Sequence, residues 1–271
     1  MLEIVDTLVI RVRDRAAPTE RTSARPSLTT GIPPPPPEKT SDLDTIAAKR
    51  EVILVDNVGV GGSTGSTPSA IQQVSLDAID FIDALKPPRY DLFDFSLGGQ
   101  VAQEVALRRP WQVRRVVLAG TGPQGGVNQR ASDPKVLASA LADNPGPDFL
   151  FPFFKSTAPS QAAGTEFLQR LSQRTTDHDA PANLQTRDAQ LTAMSEWGIP
   201  DKSKLVRLKR PLPAHPGRRR RQRHPDAPKN SHLLAKYLPN AQLSIYPHAG
   251  HEFLFQYAAK FGAEVNAFLD D

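Results

Sequence analysis

Ser96 is the residue best placed by type and context to do chemistry. It lies in Tyr90-Asp91-Leu92-Phe93-Asp94-Phe95-Ser96-Leu97-Gly98-Gly99-Gln100. Four of the first six residues are apolar or aromatic, and the six read as a buried strand. After Gly98-Gly99 the spacing changes: Val101, Val105 and Leu107, with Ala102 and Ala106, form a helical stripe that Arg108-Arg109-Pro110 closes. A serine at such a turn sits on a strained backbone. Its hydroxyl stands above the sheet, and the amides of the new helix face the same space. That pairing suits nucleophilic attack with stabilisation of a developing anion. The same residues also read as a plain Ser-Leu-Gly-Gly turn that opens a helix.

Two other stretches could carry chemistry. Asn57-Val58-Gly59-Val60-Gly61-Gly62-Ser63-Thr64-Gly65 follows the strand Glu51 to Asp56. A dinucleotide turn would run straight into a helix, with an acid ending the next strand. Here the next helix starts only near Thr67-Pro68-Ser69, and the next strand ends in Ser96. Arg218-Arg219-Arg220-Arg221 with Arg223 could form an anionic-surface patch. It has no interleaved aromatic residues, so no nucleic-acid partner is expected.

The elements around Ser96 alternate. Residues 7–14 and Glu51 to Asp56 read as strands, and Ile71, Val74, Ala78, Phe81, Ile82 and Leu85 share one helix face. The Ser96 strand and helix follow, then the strand Arg115 to Gly120. Strand and helix in turn imply a parallel sheet with helices on both faces. From residue 127 to about 205 the pattern is helical: Pro134 to Leu141, Gln161 to Arg174 and Ala182 to Trp197. Ser203 to Pro211 resembles the lead into a further core strand. Lys229 to Leu238 reads as a helix, Ala241 to Pro247 as the last strand, and Phe255 to Leu269 as the last helix.

Asp94-Phe95-Ser96-Leu97-Gly98 resembles the G-x-S-x-G nucleophile elbow of the α/β-hydrolase family, with Asp94 where that family usually has a small residue. Asp56 to Ser63 is similar to that family's D-x-R-G-x-G-x-S loop, with Val58 in place of arginine. Pro247-His248-Ala249-Gly250-His251 resembles the loop that carries the family's histidine. The resemblance covers about two thirds of the chain. It implies an α/β fold with a mostly parallel sheet flanked by helices, and a helical cap at 127–205 inserted into a single domain over 1–271. It further implies cofactor-free acyl transfer to water, as in the esterases, lactonases and non-haem haloperoxidases of this family. Ser96 would be the nucleophile, His251 its base and Leu97 the donor of one oxyanion amide. Phe149, Phe151, Phe153 and Phe154 would line an apolar pocket for an acyl substrate, or pack the cap onto the body.

Two tracts depart from this pattern. Residues 16–40 hold the run Pro33 to Pro37, and 212–228 hold the arginine run; neither has the apolar spacing of a core strand. The second should carry the triad's acid, and Asp226 is its nearest carboxylate. The first should carry the second oxyanion amide. Both have the Arg- and Pro-rich composition that GC-rich codons give out of frame. If that is their origin, another frame across the same codons restores an apolar strand. If the tracts are genuine, the alternative is a hydrolase-like protein that binds and does not turn over. The chain has no Cys, which excludes disulfides and thiolate metal sites. The first residues lack a basic start and a long apolar run, and no window suits a membrane span. A cytoplasmic location, no cofactor, no metal and no membrane partner are expected.

Overall fold

The computed structural model describes residues 7–11, 42–127, 153–173, 183–209 and 229–271. The helix expected over 134–141, the tracts at 16–40 and 212–228, and Phe149, Phe151 and Asp226 lie outside them.

Four strands form one sheet: β1 (Thr7–Arg11), β2 (Glu51–Val55), β3 (Tyr90–Phe95) and β4 (Val113–Ala119), in the order β2-β1-β3-β4. β1 runs antiparallel to both neighbours, and β3 pairs with β4 in parallel. β2, β3 and β4 therefore all point the same way, and the loops after them open on one edge. Open sheets of this kind place their sites at that carboxyl edge.

β3 is buried along its whole length, and its side chains alternate between two layers. Tyr90 and Leu92 face α2 (Ile71–Leu85) and α3 (Leu97–Arg108), where Ile71, Val74, Val101 and Val105 pack. Phe93 and Phe95 face the other side, against Phe261, Val265 and Leu269. Val101 and Val105 are fully buried; each contributes about 2 kcal/mol by leaving water. The second layer holds α1 (Asp42–Ala47) and α9 (Ala258–Asp270). Arg114 fixes α9: it binds both oxygens of the buried Asp91 at 3.0 and 2.6 Å and donates to Leu269 O at 2.8 Å.

Beyond β4 come α4 (Ala158–Gln173), α5 (Leu184–Trp197), α6 (Lys202–Leu205), a 3-10 turn (Val206–Lys209), α7 (Lys229–Tyr237) and α8 (Phe253–Gln256). α5 is tied to two loops at the carboxyl edge. Thr186 Oγ1 donates to Gly59 O at 3.2 Å, and Trp197 Nε1 donates to Gly122 O at 3.0 Å.

The expected last strand, Ala241 to Pro247, does not form, and the stretch read as a lead into a core strand is helical. Residues 203–209 form a helical turn and a 3-10 turn. Asp201 Oδ1 accepts from Ser203 N at 2.8 Å and starts the turn, and Leu205 and Leu208 are buried three residues apart, a helical interval. Ala241 to Tyr246 joins no sheet. Tyr246 anchors it instead, stacking on Phe253 at 5.0 Å and donating its hydroxyl to Glu264 Oε2 at 2.7 Å.

Candidate active site

Ser96 joins β3 to α3 with φ 54° and ψ −117°, a backbone that residues with a side chain seldom adopt. Two contacts hold it there. Ser96 N donates to Ala119 O at 2.9 Å, continuing the β3–β4 ladder. Below the turn, Asp94 is 1% exposed and lies directly under Gly98. A Cβ on Gly98 would overlap Asp94 Oδ1, so glycine is what lets α3 start over a carboxylate. The oxygen of Asp94 that accepts from Phe95 N lies 3.2 Å from it. Leu97 is the first residue of α3, so its amide is among those with no intrahelical acceptor.

His251 reaches this turn from the loop after residue 246. Its Nε2 lies 3.0 Å from Ser96 Oγ, within hydrogen-bonding range. With the ring proton on Nδ1, Nε2 accepts the serine hydroxyl proton. Phe95 lies 4.7 Å from the imidazole and Phe153 lies 6.2 Å from it, centroid to centroid. This apolar cover makes the charged imidazolium costly and lowers the pKa of His251 from 6.5 to about 4. Among the described residues, no carboxylate is hydrogen-bonded to the ring.

The structure thus brings Ser96, Leu97 and His251 to one place. Phe153 stands beside His251. Phe154 turns inward, is 3% exposed and packs on Phe167 at 6.0 Å. Two clefts of about 310 and 280 Å³ run along α5 beside Glu196 and Ile199, and neither is lined by Ser96 or His251. Among the described residues, no group of three His, Asp or Glu side chains could hold a metal ion.

The site has supports with no motif to announce them. Glu104 of α3 is fully buried and pairs with Arg207 of the 3-10 turn at 2.8 and 2.9 Å. Arg207 also binds Gln124, in the loop after β4. A buried carboxylate one helical face from basic residues was the available signal, but nothing in the spacing named Arg207 as its partner.

The profile of the Alpha/beta hydrolase family matches residues 39–264. A solved alpha/beta hydrolase fold protein from Chitinophaga pinensis is 34% identical, with a TM-score of 0.71, over 84% of this chain and 82% of its own. The pimeloyl-[acyl-carrier protein] methyl ester esterase of Nitrosospira multiformis is 38% identical over 73 residues, 26% of this chain and 28% of that protein. The 2-hydroxymuconate semialdehyde hydrolase of Pseudomonas sp. (strain CF600) is 36% identical over 81 residues, 29% of each. The chain thus matches less than a third of the length of these two relatives.

Proposed function

Because the chain belongs to the alpha/beta hydrolase family, we propose that it is a serine hydrolase of ester, lactone or similar acyl substrates. The observation that supports this most is the 3.0 Å approach of His251 Nε2 to Ser96 Oγ at a strained turn. Ser96 Oγ attacks the substrate carbonyl as its proton passes to Nε2. The carbonyl oxygen becomes an oxyanion facing the Leu97 amide at the start of α3. Collapse leaves an acyl group on Ser96, and the leaving oxygen takes the proton from His251. A water then gives its proton to His251 and attacks the acyl carbon, and as the acid leaves, His251 returns that proton to Ser96 Oγ. No cofactor enters these steps. Asp226 is the candidate to orient His251 through Nδ1, and Phe153 is the candidate wall for an apolar acyl chain, beneath a helical cap over 127–205. The names of the two relatives, an esterase and a hydrolase, accord with this chemistry.

Hydrolysis of a short-chain p-nitrophenyl ester tests the proposal. Turnover by the protein that falls by about 10³-fold or more in Ser96→Ala supports it; turnover that survives in Ser96→Ala overturns it. One observation favours a second reading, a hydrolase-like binding protein: no described carboxylate orients His251. That reading predicts saturable binding of an apolar ester with no Ser96-dependent product.

A further inference from the structure

We infer that Ser160 and Gln256 are positioning residues: with the Phe153 carbonyl, they latch the His251 loop to α4 and hold the imidazole against Ser96. Ser160 is fully buried near the start of α4. Its hydroxyl accepts from Lys155 N at 3.0 Å and donates to Gln256 Oε1 at 2.9 Å. Gln256 sits at the end of α8, and its Nε2 donates to His248 O at 3.4 Å. On the other side of His251, Glu252 N donates to Phe153 O at 3.0 Å. The two links bracket the histidine, one three residues before it and one immediately after.

The bracket is needed for two reasons. His248 has φ 55°, a left-handed backbone that a residue with a side chain keeps only when its surroundings impose it. In addition, no described carboxylate holds the ring, so among the described residues its direction follows from the backbone of the loop. Gly250 completes the fit: a Cβ there would overlap Phe153 O, so the loop lies directly on residue 153. Phe255 stacks on Phe167 of α4 at 4.7 Å and seals the same face. A buried hydroxyl with both partners satisfied is worth keeping, because its loss strands Gln256 Oε1 and Lys155 N.

The kinetic part of this inference rests on the hydrolase reading. A fluorophosphonate that labels Ser96 gives a maximal labelling rate and a half-saturating concentration. Ser160→Ala and Gln256→Met should each lower the maximal rate about tenfold and leave half-saturation unchanged, since a displacement of 1 Å can cost up to about 100-fold. The double variant should also lose about tenfold, because both changes break one link. An unchanged rate, or losses that multiply, overturns the inference. Should Ser160→Ala lose its cooperative melt, the half-buried Gln256 decides alone. Hydrogen exchange of the Glu252 amide reads the latch without any chemistry at Ser96. Ser160→Ala should speed it about tenfold, which reflects easier local opening; equal protection overturns the latch. Wild-type protein that never labels on Ser96 refutes the hydrolase reading, and the exchange result still judges the latch.

Discussion

His251 should ionise late, and that is measurable in two ways. Burial lowers its pKa from 6.5 to about 4. The neutral imidazole, which is the form able to accept the Ser96 proton, then persists down to about pH 4. The rate of fluorophosphonate labelling should stay flat from pH 7 to 5 and halve near pH 4. Stability follows the same ionisation. Below pH 6.5 the unfolded chain binds a proton that the folded chain refuses until about pH 4. The stability tied to His251 is therefore fully present above 6.5 and is lost as the pH falls to about 4. That interval is worth about 3 kcal/mol. Urea denaturation at pH 7 and pH 4.5 should show most of this loss in the wild type and little of it in His251→Asn. Phe153→Ala, by admitting water to the ring, should move the labelling limb up towards 6.5. A wild-type limb at pH 6 or above refutes the reasoning from burial alone, because it would mean that a carboxylate, Asp226 being the candidate, faces His251 and offsets that burial.

Three further outcomes follow from the packing. Gly98→Ala forces a methyl group onto the buried Asp94 carboxylate and should cost about 1–3 kcal/mol in urea denaturation; in an Asp94→Ala background the cost should shrink. Among the described residues, Arg207→Ala leaves Glu104 buried with only Arg108, at 3.6 Å, as an ion-pair partner. It should cost about 3 kcal/mol by the same measurement, and a loss below about 1 kcal/mol would show that the pair is not a support. Ser96→Gly removes the side chain that makes φ 54° costly. Its melting temperature should rise, by about 1 kcal/mol in stability, while labelling is abolished.

The elbow was legible because a change of period marks it. A mostly apolar and aromatic run from Tyr90 to Phe95 gives way to helical spacing from Val101, and two glycines stand at the junction. His251 was legible from its place after the last extended segment. The outcomes at 203–209 and 241–246 were not. Leu205 and Leu208 stand at a helical interval, and the Asp201 cap starts the turn that uses it. Residues 241–246 have a strand-like sequence, but in the fold Tyr246 holds that segment through Phe253 and Glu264 and it joins no sheet. The supports were invisible for a different reason. Ser160 meets Gln256 across 96 positions, and Glu104 meets Arg207 across 103. Phe153 meets the histidine loop through a backbone carbonyl, which no side-chain pattern encodes.

The account centres on Ser96 as a nucleophile activated by His251. The direct measurement is fluorophosphonate labelling of the folded protein, with the modified residue located by peptide mass mapping, beside Ser96→Ala, His251→Ala and a heat-denatured control. The account predicts one adduct, on Ser96, absent from Ser96→Ala and the denatured sample and at least about 100-fold slower in His251→Ala. A cooperatively melting wild type that takes up no label, or labels elsewhere, would contradict it.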